Sequence, residues 1–203
     1  MIGTLIIISA PSGTGKTSLV AALEQKLPQL RKSVSHTTRK PRVGEQDGVH
    51  YNFIDKQQFS SMLASNTFLE HAEVFGNFYG TSRDSVTNNL QNGNDVILEI
   101  DWQGAQQIRK QLPDALSIFI LPPNKEALLQ RLVARNSDAT EVIAGRYEQA
   151  RKEVSHYNEY DYLLVNDNFE LALDDLITIV KANRLRVSRQ QELRHSLISQ
   201  FYV

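Results

Sequence analysis

The chain has 203 residues, 41% of them hydrophobic, and a formal net charge of −1 at pH 7. This length is enough for one well-packed core, and we expect mobile appendages around it. The charge gives no overall attraction to nucleic acid or to an acidic membrane, so we expect no nucleic-acid partner, and phosphate groups would be bound by local clusters of Arg and Lys. The sequence contains no cysteine, which excludes disulfides, thiolate nucleophiles and Cys-ligated metals.

Strand-like apolar runs alternate with helix-length segments along the chain. The runs lie at residues 4–9, 95–100, 116–121 and 162–165, and the first is followed by a helical pattern over residues 17–27. This alternation predicts an α/β fold with a mostly parallel sheet flanked by helices. The apolar start is too short for the hydrophobic region of a signal peptide, and no later stretch approaches membrane-spanning length, so we expect a cytoplasmic protein with no membrane partner.

Three later segments depart from the alternation. Residues 33–93 are polar and contain short alternating pieces, which predicts a small mixed insertion beside the main sheet. Residues 125–158 are rich in Arg and Glu, which indicates a mobile helical hairpin. Residues 169–200 predict one long helix, whose amphipathic first half would pack on the core or mediate contacts in a homo-oligomer. We expect a single domain over residues 1–203. Its core segments would be 1–32, 94–124 and 159–203.

A phosphate-binding motif follows the first strand. Residues 10–17 read Ala-Pro-Ser-Gly-Thr-Gly-Lys-Thr and precede a helix, which is the arrangement of a P-loop except that Ala10 replaces the usual Gly. Gly13 and Gly15 let backbone N–H groups surround phosphate oxygens, and the helix N-terminus adds a positive dipole end. Lys16 would reach the β- and γ-phosphates, and Thr17 would ligate Mg²⁺. The residues predicted to bind ATP or GTP here are Ala10, Pro11, Ser12, Gly13, Thr14, Gly15, Lys16, Thr17 and Ser18.

P-loops occur in GTPases, ATP-driven motors and small-molecule kinases, so the rest of the chain must decide among them. Four features follow in order: Ser-His-Thr-Thr-Arg-Lys-Pro-Arg at residues 35–42, Gly-Val-His-Tyr-Asn-Phe at 48–53, Glu70, and Gly-Asn-Phe-Tyr-Gly-Thr at 76–81. Together with the P-loop they resemble the guanylate kinase family, and in particular its bacterial members, over essentially the whole chain. The resemblance implies a P-loop kinase fold, Mg²⁺ as cofactor, and transfer of the γ-phosphoryl group of ATP to GMP and also to dGMP.

In that family the insertion is the GMP-binding region and the helical hairpin is the lid. The resemblance implies that the GMP phosphate is held by Arg39, Arg42, Tyr51 and Tyr79. It implies that guanine is contacted by Ser35, Glu70, Thr81 and Asp101. The residue types suit these roles, because Arg and Tyr donate to phosphate oxygens that only accept. Carboxylates accept from the N1–H and amino group of guanine, whereas adenine presents a lone pair at N1.

The same residues also have interpretations without a ligand. Arg39 and Arg42 would then form an exposed basic loop, and Tyr51 and Tyr79 would be half-buried packing residues. Glu70 would be a solvent-facing carboxylate on an alternating strand. The Arg- and Glu-rich hairpin would be a solvated pair of salt-bridged helices. For the Arg, Tyr and Glu70 positions, co-occurrence with a P-loop favours the binding site, and for the hairpin the family resemblance favours the lid.

The second core strand and the hairpin supply further candidates. Asp101 follows the strand where P-loop enzymes place an acid near Mg²⁺, although such an acid is also a common helix N-cap, and Glu99 is the alternative organiser of the metal's water shell. By resemblance, Asn166 lies beside the adenine of ATP. Asn136 replaces a Gly that is common in the family, and Asn tolerates the left-handed backbone such a turn needs. The resemblance implies the catalytic residues Lys16, Arg131, Arg135 and Arg146.

Three other functions fit part of the pattern. A kinase of the same fold that acts on another phosphorylated acceptor should lack the guanine-reading acids, which Glu70 and Asp101 supply here. A catalytically inert protein-binding module of guanylate-kinase type usually has a degraded P-loop, whereas Lys16 and Thr17 are intact. A P-loop GTPase would carry an Asn-Lys-x-Asp motif near the end of a late strand, and the sequence has none.

Overall fold

The computed structural model describes residues 3–134 and 140–202, with side chains except at positions 134, 140–144 and 146. The strands are β1 (Leu5–Ser9), β2 (Leu30–Lys32), β3 (His36–Thr37), β4 (Asn52–Phe53), β5 (Phe68–Val74), β6 (Asn77–Ser82), β7 (Asp95–Glu99), β8 (Leu116–Leu121) and β9 (Tyr162–Val165). The helices are α1 (Lys16–Lys26), α2 (Lys56–Ala64), α3 (Arg83–Gln91), α4 (Trp102–Gln111), α5 (Lys125–Ala134), α6 (Thr140–Val154), α7 (Phe169–Arg184), α8 (Val187–Leu193) and α9 (His195–Ser199).

The central sheet has the strand order β2-β7-β1-β8-β9, and every pairing in it is parallel. Strand β1 lies in the middle and is buried along its whole length, because successive side chains enter two different cores. Ile6 and Ile8 pack with α1 and α7, whereas Leu5 and Ile7 pack with α3 and α4. The predicted α/β fold with a mostly parallel sheet flanked by helices is therefore confirmed.

Strand β2 is absent from the sequence-based prediction. It has only three residues, of which Leu30 is fully buried and Lys32 is half-buried. A run this short and this polar carries no periodic signal. Pairing with β7 defines it as a strand, since Leu30 lies opposite Asp95 in the parallel register.

The insertion forms a second, mixed sheet of order β4-β3-β6-β5. Strands β5 and β6 are an antiparallel hairpin whose tight turn places Phe75 and Gly76 at positive φ, 51° and 71°. The last helix of the insertion, α3, returns to the central sheet and buries Val86 and Leu90 against β1 and β7. The small sheet is thereby joined directly to the main core.

Helices α5 and α6 form the predicted hairpin. Leu128 and Leu132 of α5 are buried against Ala150 of α6, and Tyr147 packs beside them. The predicted residues Arg135 and Asn136 lie outside the described residues, and Arg146 lies in α6 with its side chain outside them.

The prediction of one long C-terminal helix is wrong, because α7 ends at Arg184 and two short helices follow. Arg186 has an extended ψ of 141°, which turns the chain. Arg184 at the end of α7 and Arg189 beyond the turn each donate to the buried carboxylate of Asp95 at 2.7 Å. A buried carboxylate without such partners would be costly, and the helix break supplies the second of them. The amphipathic first half, α7, packs on the protein's own core. None of the helices in the described part of the chain is both long and apolar enough to cross a membrane.

Candidate active site

A cavity of about 540 Å³ opens at the carboxyl ends of β1 and β7, facing the insertion. Every residue of the P-loop, from Ala10 to Thr17, lines it, together with Ser18. The lining from the rest of the predicted site consists of Ser35, Arg39, Arg42, Tyr51, Glu70, Tyr79, Asp101 and Arg131. Two predicted residues, Thr81 and Asn166, lie just behind this lining.

The P-loop backbone is shaped for an anion. Gly13 and Gly15 have φ of 89° and 94°, values that residues with a side chain rarely adopt. A Cβ on Gly15 would lie 2.7 Å from the side-chain nitrogen of Asn166, so a larger residue would displace the loop. Gly15 is also the N-cap of α1 and has no side chain to cap it. The first N–H groups of α1 are therefore directed to the cavity.

Asn166 and Arg131 brace the P-loop through one carbonyl group. The side-chain nitrogen of Asn166 donates to the Thr14 oxygen at 2.7 Å, and Arg131 Nη1 donates to the same oxygen at 3.2 Å. Arg131 Nη2 also donates to the Asn166 carbonyl at 3.4 Å. Asn166 is buried behind the loop. Arg131 borders the cavity, but two of its guanidinium nitrogens are directed at backbone carbonyls.

Thr17 and Glu99 supply oxygen atoms side by side. The hydroxyl of Thr17 donates to Oε1 of Glu99 at 3.1 Å, and Oε2 of Glu99 lies 3.8 Å from Nζ of Lys32. Mg²⁺ prefers oxygen ligands, and hydroxyl and carboxylate oxygens bind it either directly or through its bound waters. These residues therefore fit a Mg²⁺ site beside the P-loop.

Asp101 has a different environment. Its Oδ1 accepts from the backbone of Gly104 at 3.0 Å, which makes it the N-cap of α4, and its Oδ2 accepts from Gln103 at 3.0 Å. Asp101 thus caps a helix and borders the cavity at once. Because Glu99 contacts Thr17 and Asp101 is engaged by its own helix, the geometry favours Glu99 as the acid nearer the metal position.

Arg39 is held in place by an acid that the sequence analysis did not select. Its Nη2 pairs with Oε1 of Glu45 at 2.9 Å, and the other oxygen of Glu45 accepts from the backbone of Arg42 at 2.7 Å. The Arg39 guanidinium also lies 5.4 Å from the ring centre of Tyr51, which meets Tyr79 edge-on at 5.9 Å. Burial raises the pKa of Tyr51 to about 12, so its hydroxyl remains a donor. Arg39 is half-buried within these contacts, whereas Arg42 is exposed, so the interpretation as an exposed basic loop holds for Arg42 but not for Arg39.

Glu70 is buried, with only 3% of its surface exposed, so the interpretation as a solvent-facing carboxylate is wrong. A β-bulge between Phe68 and Glu70 breaks the alternation of β5, and Leu69 and Glu70 are both buried as a result. Thr81 donates to Oε1 of Glu70 at 2.5 Å. Ser35 lies 3.3 Å from Thr81, oxygen to oxygen.

The carboxyl group of Glu70 has an unusual protonation equilibrium. Burial raises its pKa to about 7, the Thr81 hydrogen bond opposes this, and the charge of Asp101 adds to it. Gly104 makes room for the group, because a Cβ there would collide with Oε2. A ligand with two adjacent N–H donors would stabilise the ionised form, and guanine presents such an edge.

Glu153 is a second acid that the sequence analysis did not select for the site. It lies in the last turn of α6, is 8% exposed and borders the cavity. The helical pattern of the hairpin gives no signal for this, since several Arg and Glu residues there have the same spacing.

Comparison with known proteins identifies the family. A family model described as guanylate kinase matches residues 2–183. Curated guanylate kinases of Escherichia coli (strain K12) and Salmonella typhimurium are each 58% identical over 199 residues, which cover 97% of this chain and 96% of theirs. The crystal structure of guanylate kinase from Anaplasma phagocytophilum has a TM-score of 0.84 and 36% identity, covering 99% of this chain and 96% of that one. This protein belongs to the guanylate kinase family.

Proposed function

We propose that this protein transfers the γ-phosphoryl group of ATP to GMP, giving ADP and GDP, in the cavity described above. The main support for this proposal is that one cavity is lined both by the P-loop and by the cluster of Arg39, Arg42, Tyr51, Tyr79 and Glu70. A phosphoryl donor and a phosphorylated purine acceptor can therefore meet in a single site. Membership of the guanylate kinase family supports the same reaction.

ATP is assigned to the P-loop side. Its β- and γ-phosphates accept from the N–H groups at the start of α1, and Lys16 adds a positive charge. Thr17 and, through water, Glu99 would hold Mg²⁺, which neutralises phosphate charge when bound. Asn166 and Arg131 support this side by fixing the carbonyl of Thr14.

GMP is assigned to the insertion, residues 33–93, which would act as the GMP-binding region. Glu70 accepts from the N1–H and amino group of guanine. Ser35 and Asp101 border the cavity with Glu70, and Thr81 supports Glu70 from behind. The 5′-phosphate accepts from four donors, namely Arg39, Arg42, Tyr51 and Tyr79. None of these contacts requires the ribose 2′-hydroxyl, so dGMP should also be accepted.

The chemistry needs positioning and charge neutralisation. The second pKa of a phosphomonoester is about 6, so at neutral pH the GMP phosphate is already mostly a dianion and attacks without a general base. Lys16 and the arginines of the hairpin, Arg131, Arg135 and Arg146, would neutralise charge on the moving phosphoryl group. The hairpin, residues 125–158, would act as a lid that excludes water over the core segments 1–32, 94–124 and 159–203. We assign the protein to the cytoplasm, where ATP and GMP are available.

The test is ADP formation from ATP and Mg²⁺ with GMP, dGMP, AMP, CMP or UMP as acceptor. We expect turnover with GMP and dGMP and loss of more than 99% of it in the Lys16→Met variant. Lys26→Met is the matched control, because Lys26 is an exposed lysine on the same helix. Turnover with AMP, CMP or UMP at a rate equal to that with GMP would contradict the assignment of Glu70, and no turnover from folded protein would contradict the proposed function.

A further inference from the structure

Glu153 has no role in the function proposed so far, yet it is among the most enclosed acids of the protein. Glu148, another acid of α6, is exposed and pairs with Arg151 at 3.2 Å. Glu153 instead turns toward the P-loop and borders the same cavity as Lys16. Carboxylates are rarely buried to this degree without a charged partner or a function.

The groups around Glu153 identify what it faces. Burial raises its pKa to about 7, and this effect is opposed, in order, by the positive charge of Lys16, by the side chain of Gln149 and by the backbone N–H of Ser12. The charge of Asp101 acts in the same direction as burial. In the described part of the chain, Oε2 of Glu153 accepts no hydrogen bond although it is fully buried. The carboxylate therefore faces the P-loop with one oxygen that can still accept a hydrogen bond.

Of the groups around Glu153, Lys16 is the one whose position is most weakly restrained. Its hydrogen bond to the carbonyl of Ile100 is long, at 3.4 Å. A lysine has a flexible four-carbon stem and a point charge, so one weak bond leaves its ammonium group poorly positioned. Glu153, an anion that lines the same cavity, would restrict it further.

We propose that Glu153 is a positioning residue that acts through Lys16 and ties the end of α6 to the P-loop. This inference rests on the proposed function, because it explains how the lid helix and the phosphate-binding lysine are aligned. Glu153 is not itself a ligand of ATP, since its negative charge would repel the phosphates. Its contribution lies in the orientation of Lys16 and of the hairpin when the phosphoryl group moves.

The kinetic test compares Glu153→Gln with Glu148→Gln. Glutamine has nearly the shape of glutamate and retains an acceptor, so the first variant removes the charge alone. We expect kcat to fall about tenfold or more, with KM for GMP within twofold of its original value. KM for ATP should be unchanged or lower, because the charge that acts on Lys16 across the cavity is lost while a charge that repels phosphate is removed. Glu148→Gln should be unchanged. A kcat within twofold of the original for Glu153→Gln, or an increase in KM for ATP alone, would overturn the proposal.

A second measurement requires no turnover, so it separates this inference from the proposed function. Thermal unfolding of the original protein, Lys16→Met, Glu153→Gln and the double variant forms a double-mutant cycle. We expect Lys16→Met to lower Tm more in the presence of Glu153 than in the Glu153→Gln background. Additive changes in Tm would mean that the two side chains do not interact, and the inference would fail even in an active enzyme.

Discussion

The hydroxyl of Thr81 donates a hydrogen bond of 2.5 Å to Oε1 of Glu70, and both side chains are almost completely buried. Thr81 thereby occupies one oxygen of the carboxylate and leaves Oε2 available toward Gly104 and the cavity. The arrangement predetermines the orientation of the acid, so a bound purine meets an acceptor that needs little further ordering.

We expect Glu70→Gln to reduce discrimination between GMP and AMP. The amide replaces one acceptor with a donor that opposes the N–H edge of guanine, which should cost about 2–3 kcal/mol and lower kcat/KM for GMP by about 30- to 150-fold. Steady-state kinetics with both acceptors measure the ratio. Glu73→Gln on the same strand is the control, because Glu73 is exposed. An unchanged GMP to AMP ratio would exclude Glu70 from guanine recognition.

The stability of the protein should depend on pH through Glu70. Its pKa is raised from 4.5 to about 7 in the folded state. Between these two pH values the folded protein still holds the proton of Glu70, whereas the unfolded chain has released it. Stability from this group is therefore full below pH 4.5 and is lost as the pH rises through 7. Glu70→Gln should gain stability relative to the original protein at pH 8, by a few kcal/mol, and should show little gain at pH 4.5. Urea unfolding at both pH values tests the sign, and a gain that is equal at both would contradict the assignment.

Glu99 and Asp101 should have separable effects on metal dependence. Glu99 contacts the hydroxyl of Thr17, so we expect Glu99→Gln to raise the Mg²⁺ concentration for half-maximal activity about tenfold. Asp101→Asn keeps an N-capping oxygen, and it should raise KM for GMP with a smaller effect on Mg²⁺. Magnesium titrations of both variants at saturating ATP decide between the acids. A larger Mg²⁺ shift in Asp101→Asn would reverse the assignment.

The ion pairs of Asp95 should stabilise the C-terminal segment without affecting catalysis. Asp95→Asn leaves Arg184 and Arg189 without their shared carboxylate, and we expect a loss of about 3 kcal/mol in the free energy of unfolding. KM for GMP and ATP should remain within twofold, since Asp95 lies at the opposite end of β7 from the P-loop. Asp175→Asn, an exposed acid of α7, is the control in denaturant unfolding. A loss below 0.5 kcal/mol for Asp95→Asn would show that the pairs contribute little.

The sequence predicts the P-loop and the parallel sheet well because both depend on local information. A P-loop is defined by residue types at fixed spacing after a strand, and long apolar runs such as β1 are buried wherever the chain places them. The burial of Glu70 is harder to predict, because it depends on a β-bulge that reverses the alternation expected for residues 69–75.

Features that depend on distant partners are not predictable from one sequence. The break after Arg184 brings Arg189 to Asp95, which lies on a strand far away in the sequence, and β2 exists through its pairing with β7. The orientation of Glu153 toward the P-loop depends on how α6 packs, and helical spacing alone does not reveal which of its acids faces the core.

The central position of β1 also affects the order of events during synthesis. Its two neighbours in the sheet are β7 and β8, where Leu5 pairs with Val96 and Ile6 with Leu116. This buried strand is therefore translated before both of its partners and remains unpaired until β7 has followed it. A nascent chain that carries an unpaired Leu-Ile-Ile-Ile segment is a target for aggregation, so this protein should need protection on the ribosome that its mature form does not need.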